Sequence, residues 1–324
     1  MHNAGQSIIV SLMRLIHITD PHLSNLDDTS FLKLRGKRRS GYLSWYRNRR
    51  YEHRREVLDA LIDSARQQDP DLLVLTGDLV HIGLDSEIRE AAHWLQSLGP
   101  PEKVILVPGN HDNYAQDSLD SIYRYWGDYL PERLAGDPSY TSGYPFVKKS
   151  GQVHLTGINS SCITRIFSAT GTLGNAQLER LETSLDATQN EQAFSCLLIH
   201  HPPVPGIIGR RKALTDDSRL AAVIRRRQPQ LVLYGHIHVN REDRLGETRM
   251  YCTASASSAE TASYRIFDLE PESGAWQCKM RLMTLDGPGG QFRLASEACW
   301  QSGICANPAS TGPAPKSSAA PAPA

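Results

Sequence analysis

Short apolar runs, most of them closed by polar residues, alternate along most of the chain with apolar residues spaced three and four apart. Continuous apolar runs predict β-strands covered on both faces, and the wider spacing predicts amphipathic helices. The predicted strands are 14–19, 72–75, 104–107, 145–148, 153–158, 195–199 and 231–234, and the predicted helices are 57–65, 86–98, 115–130, 175–185 and 216–227. This alternation is typical of an α/β protein.

The pattern changes after residue 240, where strands follow one another without helices between them. These strands are predicted over 249–253, 263–269 and 276–285, and they indicate a second sheet or an extension of the first. We therefore divide the chain into a loose N-terminal extension (1–12), a folded domain (13–290) and a C-terminal segment (291–324). The last segment is rich in Ala, Pro and Ser from about residue 302 and is predicted to be disordered.

Composition indicates the kind of partner and the cellular compartment that suit this chain. Lys plus Arg equals Asp plus Glu at 35 each, so net charge provides no general attraction to nucleic acid. Six scattered cysteines without a CxxC pair favour free thiols in a reducing compartment, although Cys299 and Cys305 could pair. We find no apolar run of the roughly 18 residues that span a bilayer and no signal-peptide pattern in residues 1–12. These features predict a cytoplasmic protein.

Five predicted strands end in polar side chains, and most of these lie beside Gly or Pro. These side chains are Asp20 and His22, then Asp78, then Asn110, His111 and Asp112, then His200 and His201, and finally His236 and His238. Each histidine taken alone is more often structural, but half of the chain's 12 histidines stand at these strand ends. Oxygen and imidazole ligands without thiolate favour Mn, Fe, Co or Zn and argue against a zinc finger. Two ions bridged by a carboxylate need about seven side chains, the number that remains if His111 and His201 are not ligands.

The sequence resembles the calcineurin-like metallophosphoesterase superfamily over roughly residues 14–285. The positions that carry the resemblance are Asp20-x-His22, Gly77-Asp78, Gly109-Asn110-His111-Asp112, His200 and Gly235-His236-x-His238. The resemblance implies a four-layer α/β/β/α sandwich with two metal ions. It assigns Asp20, His22, Asp78 and His238 to one ion and Asp78, Asn110, His200 and His236 to the other. The same resemblance places His201 behind the ligands or facing the substrate.

The implied activity is metal-dependent phosphoester hydrolysis, most specifically by a phosphodiesterase whose metal-bridging hydroxide attacks phosphorus in line. We assign His111 to protonate the leaving oxygen or stabilise the transition state, and Asp112 to orient and polarise the His111 ring. The stretch from His200 to Pro203 resembles bacterial enzymes acting on cyclic nucleotides or glycerophosphodiesters, so a class III cyclic-nucleotide phosphodiesterase is one alternative. A metal-bearing interaction module without activity is the non-enzyme alternative.

Residues 33–55 depart from the family pattern as a basic and aromatic insertion. The segment combines ten Lys and Arg residues with Tyr42, Leu43, Trp45, Tyr46 and Tyr51. Such a run is either a solvated charged face or a surface for a polyanionic substrate or anionic lipid. In the lipid case the substrate would be a phospholipid or lipid-linked diphosphate at the inner membrane surface. The neutral net charge disfavours nucleic acid, and the sequence leaves the oligomeric state open.

Overall fold

The computed structural model describes residues 12–287 and 290–303, which form two mixed six-stranded sheets. The predicted extension up to residue 11, the tail beyond residue 303 and therefore Cys305 lie outside the described residues. The first sheet has the order β12-β11-β10-β1-β2-β3, and the second has the order β4-β5-β6-β7-β9-β8. The strands are β1 Met13–Ile18, β2 Leu72–Leu75, β3 Val104–Leu106, β4 Phe146–Ser150, β5 Val153–Gly157, β6 Phe194–Leu198, β7 Leu231–Tyr234, β8 Arg241–Leu245, β9 Thr248–Cys252, β10 Ser263–Glu272, β11 Ala275–Asp286 and β12 Gln291–Gly303.

Helices cover the outer face of each sheet. The helices are α1 Lys37–Ser44, α2 Arg50–Glu52, α3 Arg55–Arg66, α4 Asp85–Leu98, α5 Gln116–Trp126, α6 Asn175–Asn190 and α7 Asp217–Arg227. Alternation along β1 explains the layering, because Leu15 packs between the sheets whereas Ile16 and Ile18 pack against α3 and α4. A third apolar cluster fills the space between the second sheet and α6 and α7. The predicted four-layer α/β/β/α sandwich is confirmed.

Two edge strands were not predicted from the sequence. β8 reads Arg-Glu-Asp-Arg-Leu and is largely exposed, and such charged edges are how sheets avoid pairing with other chains. β12 pairs with β11 from Asp286↔Gln291 to Ala275↔Gly303, so the first sheet continues through the segment that the sequence placed after the folded domain. The late strands also divide between the sheets. β9 joins the second sheet, and β10 and β11 join the first.

The carboxyl ends of the parallel strands β1, β2 and β3 lie beside those of β6 and β7. Two hydrogen bonds connect the two sheets there. The His200 ring contacts the Thr76 carbonyl at 2.7 Å, and the His236 backbone N–H donates to Asp20 Oδ2 at 3.0 Å. All five predicted strand ends therefore meet at one edge of the sandwich.

The inserted segment folds over this edge as α1, a wide helical turn (Trp45–Arg49) and α2. Trp45 is buried in a small apolar cluster with Ile82 and Tyr114, which belong to the loops after β2 and β3. Gly41 allows this close packing, because a Cβ there would collide with the Tyr114 hydroxyl. Within the described part of the chain, no helix has the length and apolar character of a membrane span.

Candidate metal centre

Five of the predicted ligands have a left-handed backbone conformation. The φ angles are 50° at Asp20, 42° at His22, 54° at Asp78, 73° at His236 and 54° at His238. Non-glycine residues seldom adopt such angles, and where they do the strained conformation often marks a functional site. The tight turns direct all five side chains away from the strand ends and toward one another.

Atoms of three other predicted ligands surround the Nε2 nitrogen of His200. Its Nε2 lies 3.2 Å from Asn110 Oδ1, 3.4 Å from Asp78 Oδ2 and 3.2 Å from His236 Nδ1. The opposite ring nitrogens face backbone carbonyls, with His200 Nδ1 2.7 Å from Thr76 O and His236 Nε2 2.9 Å from Lys212 O. Donation to those carbonyls leaves lone pairs on the two nitrogens that face each other. A shared cation satisfies this arrangement.

A second group of four predicted ligands adjoins the first through Asp78. Asp20, His22, Asp78 and His238 place one ligand atom each within 4.8 Å of the others. His22 Nδ1 lies 3.0 Å from the Val80 carbonyl, which leaves Nε2 as the lone-pair nitrogen. Among the described residues, this buried Nε2 and Asp20 Oδ1 have no hydrogen-bond partner. Orphaned acceptors of this kind fit a second cation, and each ring is oriented as metal-bound histidines are.

The electrostatics of the cluster also suit cations. Burial would raise the pKa of Asp20, but His238 and His200 outweigh it and bring the pKa to about 2. Burial and the neighbouring imidazoles hold the pKa values of His22 and His236 well below the ordinary value. Burial would lower the pKa of His200, but Asp78 raises it to about 9. A cation beside Asp78 would take the place of that proton.

His111 and Asp112 lie beside the cluster, but the two side chains do different things. The Asp112 carboxylate accepts the backbone N–H groups of Asp78 (2.9 Å), Leu79 (2.8 Å) and Gly109 (2.7 Å), and so joins the loops after β2 and β3. The His111 ring instead contacts the His81 carbonyl through Nδ1. A backbone carbonyl therefore orients the His111 ring, which was the role expected of Asp112. Asp112 instead holds the two loops together.

The ring nitrogens of His201, a residue expected behind the ligands or facing the substrate, are directed away from the cluster. Its ring is fully buried, with Nδ1 2.8 Å from Ser160 Oγ and Nε2 3.3 Å from the Ala169 carbonyl. Both ring nitrogens are thus engaged by the loop that follows β5. The His201 ring packs at a tilt of 42° against the His236 ring, with centroids 4.4 Å apart, so it supports a ligand from behind.

Two residues at the site were not singled out from the sequence. Arg49 Nη1 lies 3.1 Å from His111 Nδ1, and the His53 ring lies 4.4 Å from the His22 ring between centroids. His81 follows Asp78 closely enough in the sequence to be a candidate for the pocket lining, and its ring stacks on that of His22 with centroids 5.0 Å apart. Arg49 and His53 belong to the insertion. The only sequence signal for them was a basic segment of unassigned position, because nothing local shows that it folds over the strand ends.

Two adjoining cavities meet at Asn110 and His111. One, of about 340 Å³, is lined by Asp78, Asn110, His236 and His238. The other, of about 400 Å³, extends from His111 between α1 and the loop carrying Phe167. The centre is therefore accessible from outside and has room on both sides of His111.

Comparisons with known proteins agree with this geometry. Two Synechococcus proteins, each described as a "probable cyclic nucleotide phosphodiesterase", are 29% and 26% identical to this chain. The first alignment covers 70% of this chain and 82% of the relative, and the second covers 89% and 98%. A dimetal phosphatase from Danio rerio has a similar fold, with a TM-score of 0.54 and 15% identity over 90% of this chain and 99% of that one.

The family model for calcineurin-like phosphoesterases matches residues 13–240, which include every predicted ligand. The match spans the strands that end at the cluster, from β1 to the turn after β7. This chain belongs to the calcineurin-like phosphoesterase family, and it is a metal-dependent phosphoester hydrolase.

Proposed function

We propose that the chain is a phosphodiesterase that works with two transition-metal ions, drawn from Mn, Fe, Zn and Co. Asp20, His22, Asp78 and His238 would hold one ion. Asp78, Asn110, His200 and His236 would hold the other. The observation that carries the proposal is the pair of buried ligand groups that share Asp78, with unpartnered acceptor atoms directed into them.

The chain's own residues then position the phosphoester. Two ions held there would supply Lewis acidity and neutralise charge on the phosphoryl oxygens. The Arg49 guanidinium, beside His111, is placed to bind a phosphoryl oxygen. Burial, together with Arg49, holds the pKa of His111 well below its ordinary value. An anionic phosphoester beside the ring would oppose that shift and favour the protonated form needed to donate to the leaving oxygen.

Two features support a diester over a monoester. A diester carries a second ester substituent, and the 400 Å³ cavity beyond His111 offers space for it. The Synechococcus relatives are described as phosphodiesterases of cyclic nucleotides, so a class III cyclic-nucleotide phosphodiesterase is the first specific substrate class to assay.

The test compares bis-(p-nitrophenyl) phosphate with p-nitrophenyl phosphate in the presence of Mn²⁺. We expect faster turnover of the diester and loss of both activities in Asp78→Ala, which removes the shared ligand. Faster monoester turnover would contradict the diester assignment. No hydrolysis of either compound with Mn²⁺, Fe²⁺, Zn²⁺ or Co²⁺ would instead favour a metal-bearing interaction module.

A second candidate substrate is a phospholipid or lipid-linked diphosphate at the inner membrane surface. Leu32, directly before the basic insertion, is 84% exposed, and Phe167 is 80% exposed at the rim of the cavity beyond His111. Exposed apolar side chains beside Arg and Lys are typical of proteins that bind anionic membranes at the headgroup layer.

Co-sedimentation with vesicles tests this candidate. We expect binding to phosphatidylcholine vesicles that contain phosphatidylglycerol, weakening with salt and with the double change Leu32→Ser and Phe167→Ser. Leu294→Ser on the edge strand β12 is the matched control, because Leu294 is likewise an exposed apolar side chain, with an exposed fraction of 53%. Absent or salt-insensitive binding in the wild type rejects the membrane surface.

A further inference from the structure

His53 connects the insertion to the metal centre. It follows α2, and its ring Nδ1 lies 2.8 Å from Ser257 Oγ in the loop between β9 and β10. The backbone is held at the same place, since Arg54 N–H donates to the Ser257 carbonyl at 2.8 Å and His53 forms a β-bridge with Ser258. Bonds on both sides of the residue fix the direction of the imidazole.

The other ring nitrogen of His53 points into the cluster. His53, His22 and His238 each place a ring nitrogen within 4.8 Å of the others. His53 Nε2 is shielded from solvent and has no hydrogen-bond partner among the described residues. A buried polar atom left unpaired carries a desolvation cost, and a purely structural histidine would leave this cost unrelieved.

We infer that His53 is a further ligand of the ion held by Asp20, His22, Asp78 and His238. This inference rests on the proposed two-metal function and adds a residue to it. The tautomer that ligation requires has Nδ1 donating to the Ser257 hydroxyl, which lies 2.8 Å away, and the lone pair on Nε2. An added imidazole shifts a site toward Zn, Fe or Co and away from hard cations such as Mg²⁺. The insertion would then fold over the site with its end anchored by the metal.

The decisive measurement is metal binding to the full chain carrying His53→Ala. We expect one of two ions to bind at least about 100-fold more weakly in chelator competition, while the other is retained. The visible spectrum of the Co²⁺-loaded protein should change, because the coordination of one ion changes. His93→Ala, which removes an exposed histidine from α4, should alter neither the affinity nor the spectrum.

Two further measurements separate ligation from folding. Ser257→Ala removes the nearer hydroxyl partner of Nδ1 and leaves Ser255 Oγ, at 3.3 Å, in place, so binding of the same ion should weaken by a smaller factor. In the wild type, added Co²⁺ should slow hydrogen exchange of the His53 backbone N–H, which donates to the Arg49 carbonyl at 2.9 Å. If His53→Ala does not fold, the Ser257→Ala affinity and this exchange measurement decide the question.

Failure of the inference and failure of the proposed function are distinguishable. A wild type that binds fewer than two ions overturns the proposed function itself. A wild type that binds two ions, with unchanged affinity and Co²⁺ spectrum in His53→Ala, overturns only the role of His53. That role is also overturned if His53→Ala raises KM alone, because the ring would then contact the substrate and not the ion.

Discussion

Burial keeps several histidines of this protein uncharged, with different consequences at different positions. At His22 and His236 it leaves neutral rings available to cations. At His111 it combines with Arg49 to hold the pKa well below its ordinary value, in a ring that touches a cavity large enough for substrate. His17, fully buried within β1, hydrogen-bonds two threonine hydroxyls and has only a structural role. The contacts of each ring, more than its burial, separate these roles.

His111→Ala should abolish most turnover and leave both ions bound. The imidazole is oriented by the His81 carbonyl and lies outside both ligand groups, so its loss removes proton transfer without removing a ligand. We expect kcat to fall by about 10²–10⁴. Steady-state kinetics and metal analysis of the purified variant check this. A kcat near wild type, or loss of either metal, would show that the assignment is wrong.

Arg49→Ala should weaken substrate binding and transition-state stabilisation together. A hydrogen bond to a charged group contributes about 1.5–3 kcal/mol, which corresponds to about 10- to 100-fold in kcat/KM. The matched control is Arg47→Ala, because Arg47 is exposed on the same helical turn. Equal kinetic effects of the two substitutions would mean that only the general positive charge of the insertion matters.

His17 should make the protein sensitive to acid. Burial, reinforced by Arg265, lowers the pKa of His17 from 6.5 to about 3 in the folded chain. Below pH 6.5 the unfolded chain therefore binds a proton that the folded chain does not. The stability is complete above pH 6.5 and falls as the pH approaches 3, by up to about 1.4 kcal/mol per pH unit.

His17→Gln removes this titration and should flatten the dependence of the unfolding free energy on pH between 6.5 and 4. Urea unfolding at a series of pH values measures it in the metal-free protein. His93→Gln serves as the control, because His93 is exposed on α4. Parallel curves for the wild type and His17→Gln would contradict this prediction.

At the scale of elements, the insertion is positioned by close packing of α1 on the loops after β2 and β3. The contact depends on Gly41, where a Cβ would lie 2.7 Å from Ile82 Cγ2 and would also collide with Tyr114. Lys37 reinforces it by donating to Thr164 Oγ1 at 2.7 Å across the cavity. The insertion therefore forms one wall of the cavity beyond His111.

Gly41→Ala should displace α1 despite the better helix propensity of alanine. The propensity gain is about 1 kcal/mol, whereas overpacking costs about 1–3 kcal/mol. We expect faster amide hydrogen exchange across α1 and the following turn, and a lower kcat/KM because Arg49 moves with them. Gly209→Ala is the control, since a Cβ there meets no atom within 4 Å. Unchanged exchange in α1 would show that the contact adapts at no cost.

At the scale of the whole molecule, the metal centre connects the two sheets. Asp20, Asp78 and Asn110 follow strands of the first sheet, whereas His200 and His236 follow strands of the second. Without an ion, this junction contains the ionised Asp20 carboxylate and the unpaired Nε2 of His22. Bound cations should therefore stabilise the packing of the two halves as well as support hydrolysis.

Metal removal should lower the melting temperature. An ion present at 100 times its Kd contributes about 2.7 kcal/mol, and each kcal/mol is worth about 2–4 °C in a chain of this size class. Complete chelation removes both ions, so we expect a decrease of about 10–20 °C, reversed by Mn²⁺, Zn²⁺ or Co²⁺. Calorimetry of the wild type and Asp78→Ala tests it. A chelator that destabilises both proteins equally would place the effect outside this centre.

The convergence of the proposed ligands and the order of most elements could be predicted from the sequence. Each ligand is adjacent to its strand in the chain, and the apolar runs and Gly or Pro breaks that define strand ends are local features. β8 and β12 could not be predicted, because polar edge strands lack a buried face and so lack an apolar pattern. The pairing of their backbones is decided by neighbours elsewhere in the chain.

The sequence by itself determined which residues gather at the strand ends, and only the tertiary structure decided what surrounds them. Arg49 meets His111 across 62 positions, and His53 meets Ser257 across 204. No periodicity records contacts over such separations, since they depend on how Gly41 and Trp45 pack the insertion against distant loops. The proposed metal ligands follow from local sequence, and the wall of the cavity beyond His111 follows from long-range packing.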